Sequence, residues 1–143
     1  MLSKKAKYGL QAIIFLAKED RKKKGPIPIA ELAKHDKIPK KFLEIILLEL
    51  RKQGILHSKM GVNGGYSLGR PADLISIGQV VRVLDGPLAA VSCVSKTAYR
   101  KCDECKNEKS CEIRKIMKQV RDSTARILDG TTLADALKGK VNF

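Results

Sequence analysis

IPIAELAKHDKIPKKFLEIILLELRKQGIL, residues 27–56, decides the fold. Pro26 and Pro28 lack a backbone donor and push the residue before each away from helical angles, so any preceding helix must end there. Beyond them the spacing predicts a short helix over 29–35 and a turn at 36–38. A longer helix follows from Pro39, a favoured first helical residue, to about Gln53, closed by Gly54. Leu32, Ile38, Leu43, Ile46, Leu47 and Leu50 are available for a shared core. Two helices across a turn of about three residues match the DNA-binding helix-turn-helix, although plain helical hairpins pack in the same way. Lys37 in the turn and Lys40, Lys41 and Glu44 at the start of the second helix are the candidates to meet DNA.

Upstream, MLSKKAKYGLQAIIFLAKED (1–20) begins like a secretory signal, with lysines before a short apolar run. No small-x-small cleavage site follows, and the run stops in Lys18-Glu19-Asp20. Ala6, Leu10, Ile13, Ile14 and Ala17 fall on one face, so an amphipathic helix capped by Ser3 and reaching about Ala17 is expected. Downstream, ILHSKMGVNGGYSLGR (55–70) reads as a hairpin turning at 61–65. Its glycines are not a phosphate loop, because no Lys-Ser/Thr pair and no helix come after them. A hairpin placed directly behind the second helix and edged by His57, Lys59 and Arg70 has the form of a wing laid along a DNA backbone, which its glycines let it approach closely.

A further helix from about Ser76 carries Ile77, Val80, Val81 and Leu84 on one side and stops at Gly86-Pro87. A long helix over about 110–129 repeats Ile113, Met117, Val120, Thr124 and Ile127 at alternating intervals of four and three. That seam suits a partner helix or packing within the chain. A short helix is expected over 133–137.

The chain has 143 residues, enough for one unit in two functional parts, a DNA-binding part over 1–72 and a dimerisation and sensor part over 73–143. No segment reaches the roughly 18 apolar residues that span a bilayer, so no membrane role and a cytoplasmic location are expected. The formal charge is +14, and residues 1–70 hold 16 basic and 6 acidic side chains against 13 and 9 in 71–143. Such a surplus concentrates polyanions unless it merely solubilises the surface, and the first half is the better place for phosphates. Candidate DNA contacts are Lys4, Lys5, Lys37, Lys40, Lys41, Glu44, Lys59, Gly61, Asn63, Gly64, Gly65, Tyr66 and Arg70. The lysines of KKAK and RKKK would add phosphate contacts that carry affinity but little sequence information.

All four cysteines fall within nineteen residues as C-x8-C-x2-C-x5-C: Cys93, Cys102, Cys105 and Cys111, in a sensor loop over about 91–111. In a reducing compartment this pattern points to metal or redox chemistry before structural disulfides. Four thiolates complete a zinc site or an iron-sulfur cluster. The cluster is the first expectation, [2Fe-2S] ahead of [4Fe-4S], with zinc or a metal-free thiol switch behind. Lys96, Arg100, Lys101, Lys106, Lys109 and Arg114 stand nearby to offset the negative charge. A disulfide oxidoreductase is disfavoured, because Asp103 and Glu104 between two of the thiols oppose a thiolate. No enzyme is expected, and neither His35 nor His57 has a thiol neighbour in sequence.

SKKAKYGLQAIIFLA at the start, the stretch from 29 to 56, GVNGGYSLGR in the wing, ISIGQVVRVLDG after it, and a cysteine loop leading into a long helix together resemble the Rrf family of winged-helix regulators, typified by IscR, NsrR and CymR. The likeness covers nearly the whole chain in order, and G-x-x-G-G-Y-x-L-x-R is its most specific local motif. It implies a mainly α fold: a winged helix-turn-helix with a two-stranded wing, plus a long C-terminal dimerisation helix. It also implies a homodimer on a palindromic operator in double-stranded DNA, and commonly a cluster held by three cysteines of the loop. The chain departs from the family in places. Arg114 stands where IscR-like members complete the ligand set with histidine, and Lys7 or Tyr8 where NsrR-like members lend a carboxylate. The extra cysteine of the CxxC, Cys102 or Cys105, could supply the missing ligand. Lys37 replaces a frequent glycine and Met60 a wing arginine. The expected function is a DNA-binding, homodimeric transcriptional regulator that senses cluster or redox status. The alternative is a zinc- or thiol-switched regulator, or a metal-stapled protein-interaction module.

Overall fold

Ser3 opens the first helix with its hydroxyl, which accepts the Ala6 N–H at 3.0 Å and so satisfies one of the orphan donors of the first turn. In the computed structural model, which describes residues 2–143, this helix, α1, spans Lys4–Arg21. It continues past Ala17 because Lys18, Glu19, Asp20 and Arg21 are polar yet helix-competent. Glu19 is folded under Lys22 (3.1 Å) and Lys24 (3.4 Å), whose ammonium groups hold its carboxyl below the usual carboxylate range. The chain finally turns at Lys23, whose φ is +53°.

The next two helices are α2 (Ile29–Asp36) and α3 (Lys40–Lys52), with Pro39 as the N-cap of α3. The turn between them passes through Lys37 in the left-handed region (φ +54°), a conformation that a glycine would adopt more cheaply. Strands β1 (Leu56–Lys59) and β2 (Gly65–Leu68) form the antiparallel hairpin, in register Leu56↔Leu68 and Lys59↔Gly65. Tyr66 and Ile27 exchange both backbone hydrogen bonds at 2.8 Å, so the segment before α2 fastens the hairpin to the helices.

The remaining helices are α4 (Ile77–Asp85), α5 (Glu112–Gly130) and α6 (Leu133–Leu137). A reciprocal Ser76/Gln79 capping box starts α4, and Thr132 with Asp135 does the same for α6. One apolar core joins Ile13 and Leu16 of α1, Leu32 of α2, Leu43, Ile46, Leu47 and Leu50 of α3, Val80 and Leu84 of α4, and Leu133 of α6. Residues on both sides of position 72 therefore share it. All six apolar residues expected between the helix-turn-helix elements are buried. No described helix is long and apolar enough to cross a membrane. The mainly helical chain with its two-stranded wing is the expected fold.

Candidate nucleic-acid interface and cysteine loop

The helical period of α3 sorts its side chains. Leu43, Ile46, Leu47 and Leu50 face the core, which leaves Lys40, Lys41 and Glu44 in solvent at the N-terminal end. Ile45 and Leu48 share that outer side, with 54% and 37% of their surface exposed. The sequence assigns them neither to the core nor to the DNA contacts, which it draws from charged residues, wing glycines, Asn63 and Tyr66.

The wing contributes Lys59, Gly61 and Asn63, all exposed, with Met60 and Val62 at its tip. Gly64 and Gly65 are half-buried at the return of the turn. Tyr66 and Arg70 are also half-buried. Tyr66 packs against the core, whereas the Arg70 Nε is buried with no hydrogen-bond partner among the described residues. Lys4 and Lys37 are exposed. Lys5 is engaged otherwise: its Nζ lies 2.8 Å from Glu49, an ion pair that ties α1 to α3.

The four cysteines are free thiols, Cys102 exposed and the other three half-buried. Cys93 lies in a single 3-10 turn (Ser92–Val94) that packs on α5, and the Arg121 guanidinium donates to the neighbouring Val94 carbonyl at 2.5 Å. Ser92 and Arg100 are joined by two hydrogen bonds, of 3.0 and 3.2 Å, which close the loop between them. Cys111 is the N-cap of α5, its Sγ accepting the Arg114 N–H at 3.5 Å. The same loop holds a polar cluster in which the Tyr99 hydroxyl donates to Glu108, whose other oxygen lies 4.0 Å from the Arg114 guanidinium. The Glu108 carboxylate pushes the Tyr99 phenol above its ordinary value, and Cys93 adds to the same effect.

Cys102 and Cys105 occupy a separate turn, closed by a 3.0 Å bond from the Cys105 N–H to the Cys102 carbonyl. Among the described residues, no three His, Cys, Asp or Glu side chains converge closely enough to hold a metal ion. The donor set suits a thiophilic metal in chemistry and number. Holding all four on one centre would require the loop to rearrange, and the backbone from 95 to 107 that carries Cys102 and Cys105 belongs to no helix or strand.

The seam of α5 is open. The helix has no fully buried residue. Ile113, Ile116 and Val120 are exposed by 66%, 59% and 46%, while Met117, Thr124 and Ile127 are half-buried. What fastens α5 to the core is a bidentate ion pair, Arg82 of α4 to Asp129 at 2.5 and 2.9 Å, seated against Gly78, where a β-carbon would displace the carboxylate. The Arg82 guanidinium holds the Asp129 carboxyl below its ordinary value. A depressed folded-state value adds stability above the unfolded value that is lost as pH falls through the folded one. Asp129→Asn is therefore expected to lower the melting temperature at neutral pH and to leave it unchanged near pH 2, as a pH series of melts would show.

Comparison with known proteins gives consistent results. The Rrf2 family, described as an iron-dependent transcriptional regulator, matches residues 2–139. An rrf2-like HTH-type transcriptional regulator of Rhodobacter capsulatus is 43% identical over 138 residues, 96% of this chain and 92% of the relative. The structure of CymR, the global cysteine regulator of B. subtilis, superposes with a TM-score of 0.78 at 31% identity over 98% of both chains. IscR of T. potens gives 0.75 at 30% identity, covering 97% of this chain and 87% of that one.

Proposed function

The chain belongs to the Rrf2 family of transcriptional regulators, and from that premise we propose that it binds palindromic double-stranded DNA as a homodimer and senses iron-sulfur or redox status through its four-cysteine loop. The observation that carries the DNA half is the outer face of α3. A helix anchored by four buried aliphatics presents Lys40, Lys41 and Glu44 to solvent at its N-terminal end. In a major groove, lysine donates to guanine and a carboxylate accepts from the cytosine amino group. Lys59 and the Gly61–Asn63 tip reach the backbone or minor groove, and Lys4 and Lys37 add phosphate contacts.

Lys41→Ala is expected to weaken duplex binding by about 1–3 kcal/mol, roughly 5- to 150-fold. Equal affinity across a salt titration would remove Lys41 from the contact surface.

The open seam of α5, Ile113, Met117, Val120, Thr124 and Ile127 with Ile116 beside it, suits the same seam of a second copy. Cys93 and Cys111, both fastened to α5, with Cys102 and Cys105 of the separate turn, are the residues that would hold a cluster, [2Fe-2S] ahead of [4Fe-4S] and zinc behind. Bound there, a cluster supplies a redox centre whose potential follows its type, charge and exposure. The protein's own part is mechanical. Cys111 starts α5 and Cys93 packs on it, so a change in where these sulfurs sit alters the first turns of the helix that sets the spacing of two recognition helices. Coupling of this kind is typically worth about 1–3 kcal/mol.

The turn at Cys102–Cys105 favours a second reading. An i to i+3 hydrogen bond keeps the turn's end Cα atoms within about 7 Å, inside the reach of a disulfide. Two thiols that yield two protons and two electrons to a peroxide, itself reduced to water, would close that bond without Cys93 or Cys111. Anaerobic purification with visible spectra and iron, sulfide and zinc counts separates the two. Iron and sulfide with visible absorbance support the cluster. Colourless protein carrying stoichiometric zinc, or no metal at all, replaces it with the zinc or thiol switch.

A further inference from the structure

Lys41, Glu44, Ile45 and Leu48 follow the i, i+3, i+4, i+7 spacing of one helix face, opposite the buried Leu43, Ile46, Leu47 and Leu50 of α3. Two branched aliphatics thus lie in water on the side of the helix that points away from the core. Cations bracket them, Lys40 and Lys41 before and Arg51 and Lys52 after, all exposed. An apolar protein surface would gain nothing from such a rim, whereas a polyanion with an apolar spot in its groove complements both features. In the major groove of duplex DNA that spot is the C5-methyl of thymine.

We propose that Ile45 reads thymine by packing on this methyl, with Leu48, one turn on, shielding the contact from water. The inference rests on the reading of α3 as the groove helix. It adds a base preference that the charged residues do not supply: lysine and glutamate recognise guanine and cytosine by hydrogen bonds, and only an apolar side chain registers the methyl.

The test uses the full chain and a duplex that it selects from a randomised pool, resynthesised with deoxyuridine at one thymidine position at a time. The swap deletes a methyl and nothing else. For the native chain, a single uracil at the contacted position of either half-site is expected to weaken binding about fourfold, the effect of one buried carbon. Ile45→Ala is expected to bind the thymine and uracil duplexes equally and, being a surface change, to melt like the native chain. Leu48→Ala should reduce the discrimination without abolishing it. A native chain indifferent to every swap overturns the proposal, as does an Ile45→Ala chain that keeps the full fourfold loss. If Lys41→Ala weakens binding and the methyl does not matter, this inference alone falls. If Lys41→Ala binds as tightly as the native chain at every salt concentration, α3 is not in the groove and both readings fall. If Ile45→Ala shifts the sedimentation of the free protein while the methyl dependence persists, the patch is a protein contact and the proposal is overturned.

Discussion

Gly65→Ala is expected to bind duplex DNA at least about tenfold more weakly than the native chain while its helical core stays folded. Gly65 sits at φ +147°, in a region that side-chain-bearing residues avoid, and the space a β-carbon would take is filled by the Ile27 carbonyl and the Pro28 nitrogen. Neither neighbour can step aside, because the Ile27 N–H and C=O are both bonded to Tyr66. Strain and lost pairing together cost about 2–4 kcal/mol, less than the 5–15 kcal/mol that ordinarily separates folded from unfolded chains. The inexpensive response is for the hairpin to detach. Far-ultraviolet circular dichroism should then be nearly unchanged, the melting midpoint several degrees lower, and proteolysis within 60–64 faster. Gly61→Ala provides the control. Gly61 also has a positive φ, +88°, but nothing lies within 4 Å of the added carbon, so only conformational strain applies and binding should fall far less. Equal effects from the two substitutions would show that the wing does not depend on its attachment to Ile27.

The second large effect is expected at Cys111. Its sulfur serves two ends, as a proposed ligand and as the cap that accepts the Arg114 N–H, and two substitutions separate them. Cys111→Ala should reduce iron and sulfide to background and also fray the start of α5, at a cost of about 1 kcal/mol for a lost cap. Cys111→Ser should lose the iron equally, because a hydroxyl is a hard donor, yet keep the helix, because serine is a preferred cap. Iron and sulfide counts on anaerobically prepared protein, beside the helical signal, read both roles at once. Unchanged metal content in Cys111→Ala would remove this residue from the ligand set. A serine variant as frayed as the alanine one would remove it from the cap.

What the sequence revealed, and what it hid, follows the range of each interaction. Proline and glycine punctuate locally, so Pro26, Pro28, Pro39 and Gly54 marked the helix-turn-helix within a residue or so of its bounds. The amphipathic rows of α1, α3 and α4 named their own buried faces. Failures came where the deciding contact was distant or where composition carried no stop signal. The sequence ends α1 near Ala17, four residues short of Arg21, because Lys18–Arg21 look like a loop yet propagate a helix. The Ile27–Tyr66 pairing and the Arg82–Asp129 clasp join residues 39 and 47 positions apart, and no local period announces either. Lys5 has the look of a free cation in the sequence, yet Glu49, 44 positions away, pairs with it. The cysteine spacing advertises a ligand set, but spacing says nothing of where the sulfurs stand, which here depends on the 3-10 turn at Cys93, the cap at Cys111 and the Tyr99–Glu108–Arg114 cluster. Ile45 and Leu48 fall off the core face that the sequence assigns to α3, but charge as the guide to DNA contacts passes over an apolar side chain in solvent.

The unburied surface of α5 bears on cellular abundance. A helix that finds so little cover in its own chain draws it, in the proposed assembly, from another copy, so the melting midpoint should climb with total protein and sag on dilution. At low copy number the reading head would remain built while the sensing arm went slack. Expression level would then tune this regulator directly, through mass action, before any signal arrives.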